Sequence, residues 1–172
     1  RGAVDADGKT GDGAGIHLEI PSDFFAEKIE LTGHNHDDSE ICVGMIFLPR
    51  NNYAAQENSR TLVESELTKS NFSIYGWRQV PVNPKVLGEK ANLTRPEITQ
   101  VLFKHNNKNL IGKDLERKIY ESRRKIEKEA IKNSIEGFYI CSLSAKSIIY
   151  KGMFLAESIS DFYVDLKDER FS

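Results

Sequence analysis

The sequence predicts a single α+β or layered α/β domain with predominantly antiparallel sheets. Strand-like and helix-like segments follow one another in mixed order, without the regular alternation of a doubly wound parallel sheet. The chain has 172 residues, of which 39% are hydrophobic, and this is enough to form one buried core.

The first part of the chain predicts two strands and a helix. GIHLEI at 15–20 alternates apolar and polar residues and ends before a proline, which is typical of a strand. SDFFAEKIE at 22–30 has a helical pattern, with Ser22 as the expected N-cap residue. After a polar loop, GHNHDDS at 33–39, the continuous apolar run ICVGMIFLP at 41–49 predicts a strand buried on both faces.

The middle of the chain predicts one helix and two further strands. Apolar residues recur at helical spacing between Asn52 and Ser70. FSIYGWRQVPV at 72–82 is rich in aromatic and β-branched residues, and ITQVLFKH at 98–105 alternates, so both predict strands. HNNKNLIGK at 105–113 predicts a turn or an insertion.

The clearest helix lies in the last third of the chain, at 113–132, and two short strands follow it. FYICSLSA at 138–145 and SIIYKGM at 147–153 are separated by a tight joint, and the tail at 154–172 predicts a short helix and then a loop. One side of the long helix is a stripe of small and apolar residues, namely Leu115, Ile119, Ser122, Ile126 and Ala130.

The charged faces of that helix predict a solvated surface. Opposite charges three and four residues apart indicate weak ion pairs, and RNA binding is the alternative. The net charge of the whole chain is −2, which argues against a nucleic-acid partner. No apolar run approaches the roughly 20 residues of a membrane-spanning helix, so no membrane partner is expected.

The two cysteines, Cys42 and Cys141, each lie inside an apolar run. Neither has a neighbouring base or helix N-terminus that would stabilise a thiolate, so we predict that both are core residues rather than nucleophiles. Two isolated cysteines do not make a disulfide framework, and they favour a reducing, cytoplasmic location.

A polar loop holds two histidines and two aspartates that could ligate a metal. His34 and His36 are followed by Asp37 and Asp38, but no second pair of ligands stands at the usual spacing. We therefore favour a solvated loop and predict no metal site.

The first sixteen residues, RGAVDADGKTGDGAGI, are dense in glycine and aspartate. GDGAG has the spacing of a dinucleotide fingerprint, but a strand follows it instead of preceding it, and no Lys-Ser/Thr pair completes a P-loop. DADGK resembles a calcium loop, yet Lys9 stands at a ligand position and no glutamate closes the loop. The remaining interpretation is a tight loop in which glycine, having no side chain, lets the backbone lie close to neighbouring groups.

The same stretch resembles the start of the glutaminase domain of the glutamate synthase large (alpha) subunit. The resemblance continues through IPSDFF at 20–25, VGMIFLP at 43–49, IYGWRQVPVN at 74–83 and LGEKANLTRPEITQ at 87–100. It resumes at FYICSLSAKSIIYKGMFLAE and DFYVDLKDERFS, and covers nearly the whole chain in order.

This resemblance implies the N-terminal-nucleophile hydrolase fold of class II glutamine amidotransferases, a four-layer αββα sandwich of antiparallel sheets. The implied reaction is hydrolysis of glutamine to glutamate and ammonia. In the parent enzyme the ammonia is then added reductively to 2-oxoglutarate. The resemblance further implies FMN and an iron–sulfur cluster in other domains of the same polypeptide, with electrons supplied by a reductase subunit or ferredoxin. No cofactor is expected in this segment.

In this family the nucleophile is an N-terminal cysteine whose own α-amino group acts as the base. The resemblance implies that this cysteine lies upstream of Arg1, and that a substrate-binding Arg and an oxyanion-hole Asn-Gly pair lie downstream of Ser172. We therefore expect residues 1–172 to be the middle portion of one domain, incomplete at both ends and inactive alone. The resemblance assigns a site-supporting role to Arg1, Gly2, Asp12, Gly13 and Gly15.

The sequence alone leaves two alternative functions. The chain could be a non-catalytic scaffold or interaction module with the same fold. It could also be an independent hydrolase that uses Cys42 or Cys141, in which case the chain alone would turn over substrate.

Overall fold

The computed structural model describes residues 14–152 and 158–171. Their elements in chain order are β1 (Ala14–Glu19), α1 (Ser22–Glu30), β2 (Cys42–Leu48), α2 (Tyr53–Lys69), β3 (Phe72–Gln79), α3 (Glu89–Leu93), β4 (Glu97–His105), α4 (Gly112–Lys132), β5 (Tyr139–Ser144), β6 (Ser147–Gly152) and α5 (Ile159–Phe162). Short 3₁₀ turns occupy Pro84–Val86, Val164–Lys167 and Glu169–Phe171.

The described residues divide into two compact units. The larger unit consists of residues 19–79 and 96–148. The described part of the smaller unit consists of residues 14–18, 80–95, 149–152 and 158–171.

The larger unit is built on a four-stranded antiparallel sheet in the order β3-β4-β2-β5. The central strands β2 and β4 pair in unbroken register, from Cys42 opposite Phe103 to Leu48 opposite Glu97. Nearly every residue of both strands is buried, so neither face of these two strands is open to solvent. Each outer pairing has one irregularity, and the one in β3 makes Tyr75 an extra residue between Ile74 and Gly76.

Helices α2 and α4 pack against each other, α2 also packs against β3, and α4 also packs against β5. The side of α4 that faces inward is the predicted stripe from Leu115 to Ala130, and all five residues are buried. The inward side of α2 is more polar than its apolar periodicity predicts, since Gln56, Ser59 and Glu66 are buried beside Val63 and Leu67.

The smaller unit contains most of a two-stranded sheet formed by β1 and β6. Tyr163 bridges to Val82, and the Asn83 amide donates a 2.8 Å hydrogen bond to the Phe162 carbonyl oxygen. These contacts connect the tail of the chain to the segment that follows β3.

The structure confirms the predicted α+β class with antiparallel strand pairing, and it corrects several details. Ser22 is the first helical residue of α1 rather than its N-cap, a position taken by Pro21 without a side-chain hydrogen bond. β3 ends at Gln79, short of the predicted 82. β4 is buried continuously from Ile98 to Phe103, so it does not show the alternating burial that its sequence predicts. The predicted loop at the end of the chain is a pair of 3₁₀ turns.

We predict that two isoleucines of α4 differ sharply in their contribution to stability. Ile119 is fully buried and Ile131 is 81% exposed. Ile119→Ala should lower the free energy of unfolding by about 2–5 kcal/mol because it leaves a cavity, whereas Ile131→Ala should change it by less than about 0.5 kcal/mol. Urea denaturation followed by circular dichroism measures both, and equal losses would contradict the packing of α4.

Candidate functional site

Of the five residues predicted to support a site, the structure describes one. Arg1, Gly2, Asp12 and Gly13 lie outside the described residues. Gly15 is the second residue of β1. The supporting role of all five therefore stays a prediction, and the structure describes the surroundings of Gly15.

Gly15 lies where β1 and β6 approach each other closely. A Cβ atom at this position would be 3.2 Å from Lys151 Cβ and 3.5 Å from the Tyr150 carbonyl oxygen. The first distance is tighter than ordinary van der Waals contact, so even an alanine would require β6 to shift by a few tenths of an ångström. This agrees with the expectation that glycine serves close backbone approach here.

Next to Gly15, β6 is held by two buried tyrosines. Tyr150 is fully buried and its hydroxyl donates a 2.8 Å hydrogen bond to Oδ2 of Asp165, itself 5% exposed. The Tyr163 hydroxyl donates a 2.6 Å hydrogen bond to the Lys151 carbonyl oxygen. The rings of Tyr150 and Tyr163 are 4.9 Å apart in an edge-to-face arrangement, and Phe171 packs on Tyr150 in the same way.

Sequence reasoning missed this tyrosine–aspartate pair. Tyr150 and Asp165 are fifteen residues apart and belong to different elements, so no local pattern connects them. The available signal was an aspartate within the aromatic stretch DFYVDL, because a carboxylate among aromatic residues requires a buried hydrogen-bond donor.

A second polar cluster fixes the joint between β5 and β6. The Ser144 hydroxyl donates to the carboxylate of Glu116 on α4, at 3.0 and 3.1 Å from its two oxygens, and the Ala145 amide donates to the same carboxylate at 2.7 Å. The Ser144 oxygen also accepts from the amides of Lys146 and Ser147. All hydrogen-bonding capacity of this hydroxyl is thus used by the joint, so the Ser–Glu pair is structural.

Beside this joint lies a cleft of about 680 Å³ in the larger unit. Its lining consists of carboxylates, ammonium groups, aliphatic side chains and the Ser22 side chain, and among the described residues it includes no cysteine or histidine. The described lining therefore provides no thiol nucleophile for acyl transfer.

Both cysteines are buried, as predicted. Cys42 in β2 is fully buried and Cys141 in β5 is 4% exposed. Burial raises the pKa of the Cys42 thiol far above its ordinary value, and the charges of Glu116 and Glu40 raise it further. A thiol held in its neutral form inside a sheet is a poor nucleophile.

The polar side chains of the loop at 33–39 contact other residues of the larger unit. His34 Nδ1 lies 3.0 Å from the Thr32 hydroxyl, and His36 Nε2 lies 3.2 Å from the Ser39 carbonyl oxygen. Asp37 pairs with Lys104 of β4 at 2.8 Å. Asp38 pairs with Lys108, which follows β4, at 2.9 Å. Within residues 14–152 and 158–171, no group of three or more His, Cys, Asp or Glu residues could hold a metal ion.

The family to which the chain belongs follows from its similarity to known proteins. The model of the class II glutamine amidotransferases matches residues 1–172, the whole chain. The chain belongs to this family. The predicted N-terminal-nucleophile hydrolase fold class is thereby confirmed, in agreement with the antiparallel sheets and helices of the structure.

The curated relatives of this amidotransferase chain are much longer proteins. The chain is 55% identical over 171 residues to the large chain of glutamate synthase (NADPH) from Azospirillum brasilense, which covers 99% of the chain and 11% of the relative. It is 37% identical to ferredoxin-dependent glutamate synthase of Pyropia yezoensis, covering 100% and 11%, and 38% identical to ferredoxin-dependent glutamate synthase 1 of Arabidopsis thaliana, covering 99% and 10%. The chain spans about a tenth of the length of these relatives.

Among the described residues of the amidotransferase chain, no helix is long and apolar enough to cross a bilayer.

We predict that Tyr150→Phe destabilises the chain although it removes a single oxygen atom. The buried Asp165 carboxylate would lose its 2.8 Å donor, which should cost about 1–3 kcal/mol of unfolding free energy. Tyr120→Phe is the matched control, because Tyr120 is 62% exposed and should change by less than about 0.5 kcal/mol. Thermal unfolding of the two variants distinguishes the outcomes, and equal melting temperatures would argue against a role for the hydroxyl.

We also predict that Asp37 stabilises the fold in a pH-dependent way. The hydrogen bond from Lys104, aided by Ser39, lowers the pKa of Asp37 well below its ordinary value of 3.8. Because the folded state favours the ionised form, this contribution is present above pH 3.8 and declines as the pH falls below it. Asp37→Asn should cost about 0.5–1 kcal/mol at pH 7 and progressively less as the pH falls below 3.8.

Urea denaturation at both ends of this pH range tests the Asp37 prediction. Asp38→Asn is the control, because the Asp38 side chain is 86% exposed and its pairing with Lys108 is accessible to solvent. Equal losses for Asp37→Asn at neutral and acidic pH would show that the carboxylate charge is not the cause.

Proposed function

We propose that this chain is part of the glutaminase domain of a glutamate synthase. The observation that carries the proposal is the match to the glutamate synthase large chain, which runs over 99% of the chain at 55% identity. The proposed reaction is hydrolysis of glutamine to glutamate and ammonia. The parent enzyme then uses this ammonia to convert 2-oxoglutarate reductively into a second glutamate.

The proposed chemistry places the nucleophile outside residues 1–172. In class II amidotransferases of this kind, the thiol of an N-terminal cysteine attacks the side-chain amide carbon of glutamine. The carbon–nitrogen bond breaks, ammonia leaves, and water hydrolyses the thioester to glutamate. An α-amino group with a pKa of about 7.7–8.0 is a suitable base near neutral pH.

The burial of both cysteines supports this assignment. An independent hydrolase would need Cys42 or Cys141 as its nucleophile, yet both lie within the sheet of the larger unit. The scaffold alternative has no observation in its favour. We further propose that Arg1, Gly2, Asp12, Gly13 and Gly15 shape the site without taking part in bond making.

We propose that the redox cofactors of the parent enzyme, FMN and an iron–sulfur cluster, are bound by other domains of the same polypeptide. An iron–sulfur cluster is usually held by four thiolates, and this chain has two buried cysteines on different strands. The chain itself would then bind no cofactor. We also propose a cytoplasmic location, because free thiols suit a reducing compartment.

The electron donor of the parent enzyme is proposed to be NADPH, delivered through a reductase subunit. The chain is 55% identical to the NADPH-type relative but 34–38% identical to the ferredoxin-dependent ones. Ferredoxin is the second candidate.

The test of the proposed glutaminase uses a glutamine-mimicking diazoketone and the intact parent protein. The reagent alkylates an activated thiol with loss of dinitrogen, so intact mass reports one adduct per active site. We expect the Cys42→Ala/Cys141→Ala double variant to retain a one-to-one adduct and glutamine hydrolysis. Peptide mapping should place the adduct on a cysteine upstream of Arg1.

Two results would overturn the proposal. An adduct that maps to Cys42 or Cys141 in the wild-type protein would place the nucleophile inside this chain. A folded double variant that neither hydrolyses glutamine nor reacts would lead to the same conclusion, with circular dichroism as the check of folding.

A further inference from the structure

The outer side of α4 carries a line of exposed cations. Lys113, Arg117, Arg124 and Lys128 are all exposed, and we refer to them as the basic stripe. With 100° and 1.5 Å per helical residue, the four lie within about 60° around the helix axis and extend over about 22 Å. The helix holds eight Lys or Arg against five Asp or Glu, whereas the net charge of the whole chain is −2.

Most of these cations are not neutralised by the described part of the chain. Within the part of the chain that the structure describes, Lys113, Arg117 and Lys128 form no ion pair, and Arg124 has one long contact, 3.9 Å to Glu127. By contrast, Lys104 pairs with Asp37 at 2.8 Å. The predicted ion pairs of this helix are present where Glu127 pairs with Arg123 at 3.7 Å and with Arg124 at 3.9 Å, but among the described residues they do not extend to the other three cations of the basic stripe. Like charges four residues apart repel each other along it.

Apolar side chains border the basic stripe on one side. Tyr120 is 62% exposed and Ile131 is 81% exposed. At 100° per residue, Tyr120 lies about 20° outside the sector that the stripe occupies, and Ile131 lies at the same edge of that sector. Tyrosine and arginine are the residues that most often dominate the binding energy of protein interfaces. A surface that combines them with exposed isoleucine has the composition of a docking face.

Building on the proposed function, we propose that the basic stripe, with Tyr120 and Ile131, docks an acidic surface of another domain of the same polypeptide, since this chain spans 11% of the length of its 55% identical relative. The complementary surface presents carboxylates along a line of about 20 Å and an apolar patch beside them. A protein suits this face better than a nucleic acid, because Asp114 and Glu121 are exposed beside the stripe and would repel a continuous row of phosphates. Discrete carboxylates can be placed to avoid both residues.

The test is lysine footprinting of the intact protein by acetylation and mass spectrometry. If an acidic surface covers the stripe, Lys113 and Lys128 should be acetylated about tenfold more slowly than Lys85, which is exposed in a 3₁₀ turn of the smaller unit. Protection should weaken at high salt, because ion pairs at an interface are screened. A zero-length carbodiimide should cross-link Lys113 or Lys128 to aspartates or glutamates outside α4.

Two arginine variants make the footprint specific. Arg117→Glu/Arg124→Glu leaves every lysine in place as a reporter and should remove the protection of Lys113 and Lys128. Arg117→Lys/Arg124→Lys is the matched control, which keeps the charge and should keep most of the protection. Both substitutions are at exposed positions of α4, and hydrogen exchange of the buried stripe checks that the helix still forms.

Three results would overturn the proposal. Equal acetylation of Lys113, Lys128 and Lys85 in the intact protein would show that the face is free. Cross-links confined to Asp114, Glu121 or Glu129 would show that the cations meet only their own helix. Protection that disappears on nuclease treatment would show that a nucleic acid is the occupant.

Discussion

The pairing of β2 with β4 determines the remainder of the larger unit. Both strands are buried on both faces, so their apolar pattern does not by itself distinguish one register from the next. Contacts of individual residues select the observed register. Gly44 lies where a Cβ would be 2.6 Å from the Leu143 side chain and 2.8 Å from that of Val101. The Thr99 hydroxyl donates a 2.9 Å hydrogen bond to the Ile46 carbonyl oxygen. A shift by one residue would break both arrangements.

A row of mostly polar side chains crosses the same sheet and reinforces this register. Arg78, Gln100, Met45 and Ser142 are successive cross-strand neighbours on the four strands. Gln100 is fully buried, and its side-chain oxygen accepts a 2.7 Å hydrogen bond from Arg78. Burying an amide side chain is costly unless it forms hydrogen bonds. The strand register that gives Gln100 its hydrogen bond is therefore strongly preferred over registers shifted by one residue.

The sequence predicted the elements whose signal is local and missed the contacts that are not. The buried face of α4 follows from its 3.6-residue period, and the burial of β2 follows from its continuous apolar run. The Tyr150–Asp165 bond and the Glu116–Ser144 joint connect residues fifteen and twenty-eight positions apart. Single-sequence periodicity contains no information about such pairs. For the candidate site, close packing at Gly15 was predictable from glycine itself, whereas the tyrosines that hold the facing strand were not.

The burial of the two cysteines has a consequence for the behaviour of this fold under oxidative stress. Cys141 lies opposite the irregularity at Met45 and Ile46, about 10 Å along the sheet from Cys42, which is beyond the span of a disulfide. Oxidation to sulfenic acid and thiol–disulfide exchange both begin with an accessible thiolate. Because Cys42 is enclosed and held neutral, the sheet contributes no redox-sensitive thiol there. Peroxide or glutathione disulfide would therefore leave the Cys42 thiol in the interior of the larger unit unmodified.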